Sequence, residues 1–256
     1  MNFIDTHCHL YLPEFAENQQ AAIQRAVDFG VTKILLPNID SSSWKSMLEL
    51  FRKYPDTCFP MAGLHPTSVL PETIDSEMDE VKRQLETGDY IAIGEIGIDL
   101  YWDKTHQGLQ EETFRYQIQL AKKYRLPIAI HVRKSFDEVW QILKPEITPD
   151  LQGVFHCFPG DEAQARRVIE TGFLLGIGGV VTFKNSGLQK VVAAVGPEHI
   201  ILETDAPFLA PAPYRGKRNE PAYIPIIAEK IAELCGISVE EIADITTKNA
   251  LKLFNL

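Results

Sequence analysis

Eight short apolar runs punctuate the chain, at Asn2–Asp5, Lys33–Pro37, Cys58–Gly63, Tyr90–Glu95, Pro127–His131, Gly153–His156, Phe173–Ile177 and Ile200–Glu203. Their starts fall between about 20 and 37 residues apart, the length of one strand plus one helix. Runs such as Ile34-Leu35-Leu36 and Ile128-Ala129-Ile130 are apolar at consecutive positions, which suits strands buried on both faces of a parallel sheet. Between the runs the periodicity turns helical. Phe114, Ile118 and Ala121 follow i, i+4, i+7, and Phe15, Ala22, Ile23, Ala26 and Val27 form one stripe. Gly30 and Gly172 stand just before runs, where helix C-caps belong.

The eighth run is followed by a Pro-rich loop, Ala206–Pro221, and two closing helices, the second opened by a capping box at Ser238 and Glu241. No low-complexity linker divides the 256 residues. This pattern predicts an α/β fold: a single (β/α)8 TIM barrel occupying 1–256 as one domain, with an extra C-terminal helix. An open doubly wound sheet is the competing arrangement. It wants a Gly-rich phosphate fingerprint, and neither Gly176-x-Gly178-Gly179 nor Gly94-Ile96-Gly97 has the spacing.

Composition changes this picture little: 45% of residues are hydrophobic and 23% charged, as in an ordinary globular protein. No stretch approaches the roughly 20 unbroken apolar residues of a membrane helix, and the first residues lack a secretory leader, so a cytoplasmic location is expected. Cys8, Cys58, Cys157 and Cys235 show neither disulfide nor CxxC spacing and read as reduced thiols. A formal charge of −10 argues against extended nucleic-acid binding driven by net charge, though bound cations reverse the sign locally.

The chemistry lies in where the histidines and carboxylates fall. His7 and His9 are two positions apart after the first run, so both imidazoles project to one side. Glu95, His131 and His156 end the fourth, fifth and sixth runs, and Asp205 follows the eighth. In a parallel barrel all strand C-termini meet on one face, so these six groups converge on one pocket. Four imidazoles with two carboxylates make a metal site. Cys8 and Cys157 adjoin those residues but read as small buried neighbours, whereas His106 and His199 read as surface residues.

The chain resembles the TatD-like metal-dependent nucleases of the amidohydrolase superfamily. The resemblance rests on Asp5-Thr6-His7-Cys8-His9-Leu10, Gly63-Leu64-His65-Pro66, Gly94-Glu95-Ile96-Gly97-Ile98-Asp99 and His131-Val132-Arg133. Later matches are His156-Cys157-Phe158, Glu203-Thr204-Asp205-Ala206-Pro207 and the segment Arg215–Pro221. It implies two divalent ions (Mg, Mn or Zn). His7, His9 and Asp205, with Glu95, would hold the first; Glu95, His131 and His156 the second, with Glu95 bridging. A hydroxide between the metals would attack, and Asp205 would orient that water and take its proton, or else serve as a ligand only. Glu203 is a further ligand or a carboxylate supporting a ligand histidine. His65 would touch substrate phosphate or a metal, a capping role being the plainer reading.

Arg133, two residues beyond His131, can clamp a phosphate with its guanidinium or form an ion pair on the rim. Arg215, Lys217 and Arg218 place three cations beyond the eighth run, as a phosphate-facing edge or a solvated charge cluster. Tyr101 and Trp102 can stack on a base or pack on the rim. The expected activity is that of a deoxyribonuclease, 3′-to-5′ exonuclease-like on single-stranded DNA or DNA ends, with no membrane and no obligate protein partner. The alternatives are a metal-dependent ester or amide hydrolase, such as an aminoacyl-tRNA deacylase, and a non-catalytic protein keeping metals for stability.

Overall fold

A computed structural model of the chain describes residues 1–102 and 104–256. Strands β1 (Phe3–Asp5), β2 (Val31–Leu36), β3 (Cys58–Ala62), β4 (Ala92–Asp99), β5 (Ile128–Arg133), β6 (Gly153–Phe155), β7 (Leu174–Ile177) and β8 (Ile200–Leu202) form one parallel sheet in sequence order. Backbone hydrogen bonds join its two ends: Thr6 N–H donates to Leu202 O at 3.0 Å, and Asp205 N–H to His7 O at 2.9 Å. Helices α1 (Gln19–Asp28), α2 (Trp44–Lys53), α3 (Ile74–Leu85), α4 (Gln107–Tyr124), α5 (Phe136–Leu143), α6 (Glu162–Ile169) and α7 (Leu188–Val195) return the chain from each strand to the next. After β8 come α8 (Ile224–Cys235) and α9 (Val239–Phe254). This is the expected (β/α)8 barrel with one further helix, and not the open doubly wound sheet.

Two apolar layers hold it. Between strands and helices lie Ile34, Leu36, Ile93, Ile96, Ile98, Ile128, Ile130 and Phe155 with the inner helix faces. Inside the barrel, Ile4, Leu35, Met61, Ala92, Ala129, Val154 and Ile201 pack with Ala250, Leu253 and Phe254 of α9. The extra helix thus plugs the barrel, and the Ser238–Glu241 capping box that starts it is present in full. In-and-out alternation puts Leu35 inside and its neighbours Ile34 and Leu36 outside. The same rule aims His131 inward, two residues beyond Ala129.

Three expectations need correction. The fourth apolar run was expected to end at Glu95, but β4 continues to Asp99. Simple alternation along such a strand would send Glu95 outward with Ile93. Instead the pairing with β5 shifts register between Ile93 and Ile96. Both isoleucines face the helices, so the irregularity falls on Gly94 and Glu95 between them and re-aims Glu95, as bulges beside active sites commonly do. Asn38 secures the kink: it donates its N–H to Gly94 O at 3.1 Å and accepts from Glu95 N–H at 3.2 Å.

The predicted helical stripe of the first unit is also shorter. Pro13 opens a 3-10 turn, Pro13–Phe15, before α1, so Phe15 is buried from outside the helix. Val27, at the stripe's edge in the last turn, is left exposed. Finally, His106 and His199 are half-buried rather than free on the surface. His106 is the residue from which α4 starts, and with Trp102 and Gln110 it lines a cleft.

Candidate metal centre

Glu95 is the hub of the strand-end cluster. It is buried, and its two oxygens face different partners. Oε2 lies 3.1 Å from His7 Nε2 and 3.4 Å from His9 Nε2. Asp205 Oδ1 closes that side, 3.6 Å from His9 Nε2 and 4.0 Å from His7 Nε2. On the other side Oε1 lies 2.6 Å from His131 Nδ1, 3.3 Å from His65 Nε2 and 3.5 Å from His156 Nε2. The rings of His7 and His156 stack at 3.4 Å, so the two sides share a wall.

Hydrogen bonds outside the cluster decide which nitrogen each ring turns inward. Tyr11 donates its hydroxyl proton to Pro37 O at 2.5 Å, so the 2.9 Å contact with His9 must be Nδ1–H donating to the tyrosine oxygen. His9 Nε2 then carries the lone pair. Asp99 Oδ2 accepts from His131 Nε2–H at 2.9 Å, which leaves Nδ1 as that ring's inward lone pair. Outer carboxylates and hydroxyls of this sort orient metal-binding histidines. His65 is the opposite case: its Nδ1 accepts from Thr67 N–H at 3.2 Å, so in the neutral ring the proton sits on Nε2 and is presented to the centre.

The electrostatics follow from burial and crowding. Burial works against ionisation of Glu95, but the surrounding imidazoles of His65, His7 and His156 hold it well below the usual carboxylate range. Burial also opposes charge on His156, yet the carboxylates of Glu203 and Glu95 outweigh it and push the ring up to about 10. Burial, together with the neighbouring His156, drives His7 well below its ordinary value. Asp205 is pushed up to about 6, chiefly by burial.

A metal fits this donor set. Ligands bound at about 2.1 Å to one tetrahedral ion stand about 3.4 Å apart, and the two rings of His7 and His9 lie 3.1 to 4.0 Å from the carboxylate oxygens Glu95 Oε2 and Asp205 Oδ1. The triads His7–His9–Glu95 and His7–His156–Asp205 each bring their ligand atoms within 4.8 Å of one another, as does His65–Glu95–His131. In the last triad the proton on His65 Nε2 makes that ring a hydrogen-bond donor rather than a third ligand.

Comparison with known proteins agrees with the barrel and with a metal-dependent hydrolase. The family model described as TatD related DNase matches residues 4–255. The chain belongs to the TatD family of metal-dependent hydrolases. Over 253 residues it is 40% identical to a protein of Bacillus subtilis named uncharacterized metal-dependent hydrolase YabD, covering 98% of each chain. The crystal structure of the TatD homologue YjjV from Escherichia coli superposes with a TM-score of 0.93 at 33% identity, covering 99% of this chain and 98% of that one. A TatD-family hydrolase of Entamoeba histolytica, 24% identical, shares the fold with a TM-score of 0.88, covering 99% of this chain and 98% of that one.

Within this TatD-family barrel the remaining expected residues fall into two groups. Glu203 stands behind His156 rather than among the converging donors. Its Oε1 accepts from Cys157 N–H at 2.6 Å and lies 3.0 Å from His156 Nδ1, out of line for a hydrogen bond, while Oε2 has no partner among the described residues. Arg133 and Arg215 lie outside the cluster. The Arg133 guanidinium sits 4.1 Å from the Tyr101 ring centroid and 5.1 Å from that of Trp102, and Arg215 sits 4.5 Å from that of Phe183. Arg218, by contrast, is tied into the fold by hydrogen bonds to Glu14 O and Asn18 Oδ1.

Sequence reading assigned no role to Asp5, Tyr11, Asn38 or Asp99. Asp5 is fully buried and accepts from Thr204 N–H at 2.9 Å, Thr204 Oγ1–H at 2.5 Å and His7 N–H at 3.3 Å, so it binds the first strand's end to the eighth's. Burial pushes its carboxyl up to about 7. Asp99 shares a motif with Glu95, four residues on. Recognising it needed the true length of β4. Tyr11, two residues past His9, carried the plainest signal, because a buried tyrosine hydroxyl needs a partner.

Proposed function

We propose that this TatD-family enzyme hydrolyses phosphodiester bonds of DNA, working from ends or on short single strands in the 3′-to-5′ direction. The observation that carries the reading is the two-sided environment of Glu95, with one oxygen toward His7, His9 and Asp205 and the other toward His131 and His156. A single carboxylate so placed suits two divalent ions, of Mg, Mn or Zn. Bound there, such a pair supplies a water of lowered pKa and positive charge for a phosphate.

The protein's own groups complete the site. Asp205 turns back toward His9 from a left-handed backbone conformation, φ +56°, which aspartate tolerates better than most residues. Its Oδ1 stands 3.6 Å from His9 Nε2, at the edge of that group of donors, where Asp205 would orient the attacking water and take its proton as well as serve as ligand. His65 directs Nε2–H inward to a phosphate oxygen, and Arg133, exposed at the end of β5, holds a second one. Arg215 extends the positive edge along the backbone of the strand. Glu203 positions His156 from behind.

That the family is described as TatD related DNase supports DNA as the substrate. The four free thiols suit the reducing cytoplasm, and no helix among the described residues is long and apolar enough to cross a membrane. The test is to incubate metal-loaded protein with end-labelled single-stranded DNA and with a panel of carboxylic and aminoacyl esters. DNA shortened from its 3′ end is the expected product. Arg133→Ala lowers turnover of DNA roughly ten- to hundredfold, the worth of a charged hydrogen bond, and spares neutral esters. Preferential ester cleavage, or equal losses on both substrates, removes the phosphodiesterase reading.

A further inference from the structure

Beside the metal centre, between the turn that follows β3 and the start of α4, lies a cleft lined by Thr67, Val69, Leu70, Asp99, Trp102 and His106. Two of these residues touch the centre directly. Thr67 is hydrogen-bonded to His65, and Asp99 accepts from His131 Nε2 at 2.9 Å. The cleft therefore opens one imidazole's width from Glu95. Its walls are unlike the charged centre. Leu70 and Trp102 present large apolar surface to solvent, and Trp102 is 69% exposed. The His106 ring makes no hydrogen bond among the described residues, so its polar edge stays free for a ligand. Next to the cleft, the Arg133 guanidinium packs against the ring of Trp102, which lines it, and against that of Tyr101.

We propose that this cleft is a nucleobase subsite: it takes the base of the terminal nucleotide whose phosphate Arg133 and His65 hold. The assignment rests on the nuclease reading given above and deepens it. A flat aromatic group matches an exposed indole with aliphatic walls, because every base offers a π-face to stack on. The guanidinium beside it meets the phosphate carried by the same nucleotide. Stacking does not depend on which base is present, so the subsite favours a base over none and discriminates weakly among the four.

The test compares a normal single strand with one ending in an abasic residue, for wild type and Trp102→Ala. Loss of one stacking surface raises KM on the normal end about tenfold, leaves kcat near its starting value and leaves the abasic end unchanged. Quenching of tryptophan fluorescence is the second readout. Thymidine monophosphate quenches wild type, deoxyribose phosphate does not, and Trp102→Ala abolishes the effect. Because Trp102 is exposed, its replacement leaves the core intact. Equal KM changes on both strands, or quenching that survives in the variant, overturns the subsite while the nuclease reading stands. Quenching by the nucleotide with no turnover of either strand leaves the subsite standing and overturns the nuclease reading.

Discussion

Replacing Gly176 by alanine tests how tightly the carboxylate behind His156 is held. A Cβ at position 176 would stand 2.3 Å from Glu203 Oε2, 2.9 Å from its Cδ and 3.2 Å from His156 Cα. Ordinary carbon contacts begin near about 3.5 Å, so Glu203 must move. It is buried and cannot swing into water. Moving it breaks the 2.6 Å bond from Cys157 N–H and withdraws the charge that faces His156 Nδ1 at 3.0 Å. Overpacking costs about 1–3 kcal/mol and the lost charged hydrogen bond about 1.5–3 kcal/mol, so Gly176→Ala should destabilise the protein by about 2.5–6 kcal/mol. Glu203→Asp shortens the side chain by one methylene and makes room for the new methyl group. In urea unfolding of the metal-free protein, the double variant should be more stable than the sum of the single effects by at least about 1 kcal/mol. A Gly176→Ala effect below about 0.5 kcal/mol, or strict additivity, would refute the packing described.

Other outcomes follow from the rings and their protons. Asp99→Asn keeps an oxygen for His131 Nε2–H but removes its charge, and should weaken metal binding or turnover about 10- to 100-fold, as measured by calorimetry and initial rates. Tyr11→Phe leaves His9 Nδ1–H without its acceptor and should lower metal affinity about tenfold in the same titration. His156, Asp205 and Asp5 all hold protons more tightly in the fold than their ordinary values of 6.5 and 3.8 allow. A raised pKa contributes stability below the unfolded value and loses it as pH climbs through the folded one. The metal-free protein should therefore lose the Asp205 contribution as pH rises from 3.8 to about 6, that of Asp5 from 3.8 to about 7 and that of His156 from 6.5 to about 10, followed by thermal unfolding. Metal must displace the His156 proton, so its apparent affinity should rise about tenfold per pH unit per proton released near neutrality.

Much of the molecule is legible in its sequence. Consecutive apolar residues such as Ile34-Leu35-Leu36 mark strands covered on both faces, and His7 with His9 shows the period-two spacing that puts two rings on one side. The convergence of distant residues follows from parallel strands alone. What periodicity conceals is the irregular backbone at the site. Glu95 points inward only because β4 breaks its alternation between Ile93 and Ile96 and then runs on to Asp99. Ending the run at Glu95 placed the right residue at the centre on the wrong geometry, and it hid Asp99. The protons on His9, His65 and His131 were equally hidden, since each depends on a partner's own hydrogen bond. For Glu203 the sequence leaves open a further ligand or a carboxylate supporting a ligand histidine. Its packing against Gly176 and Cys157 holds it behind His156.

The most direct measurement is a crystal structure of the manganese-loaded protein with an anomalous difference map, paired with a metal count on wild type and Glu95→Gln. Two peaks about 3.5–4 Å apart should flank the Glu95 carboxylate, one beside His7, His9 and Asp205 and the other beside His131 and His156. The variant should hold at most one ion. A single peak in wild type, or two ions that leave Glu95 untouched, would contradict the bridging role from which the rest is built.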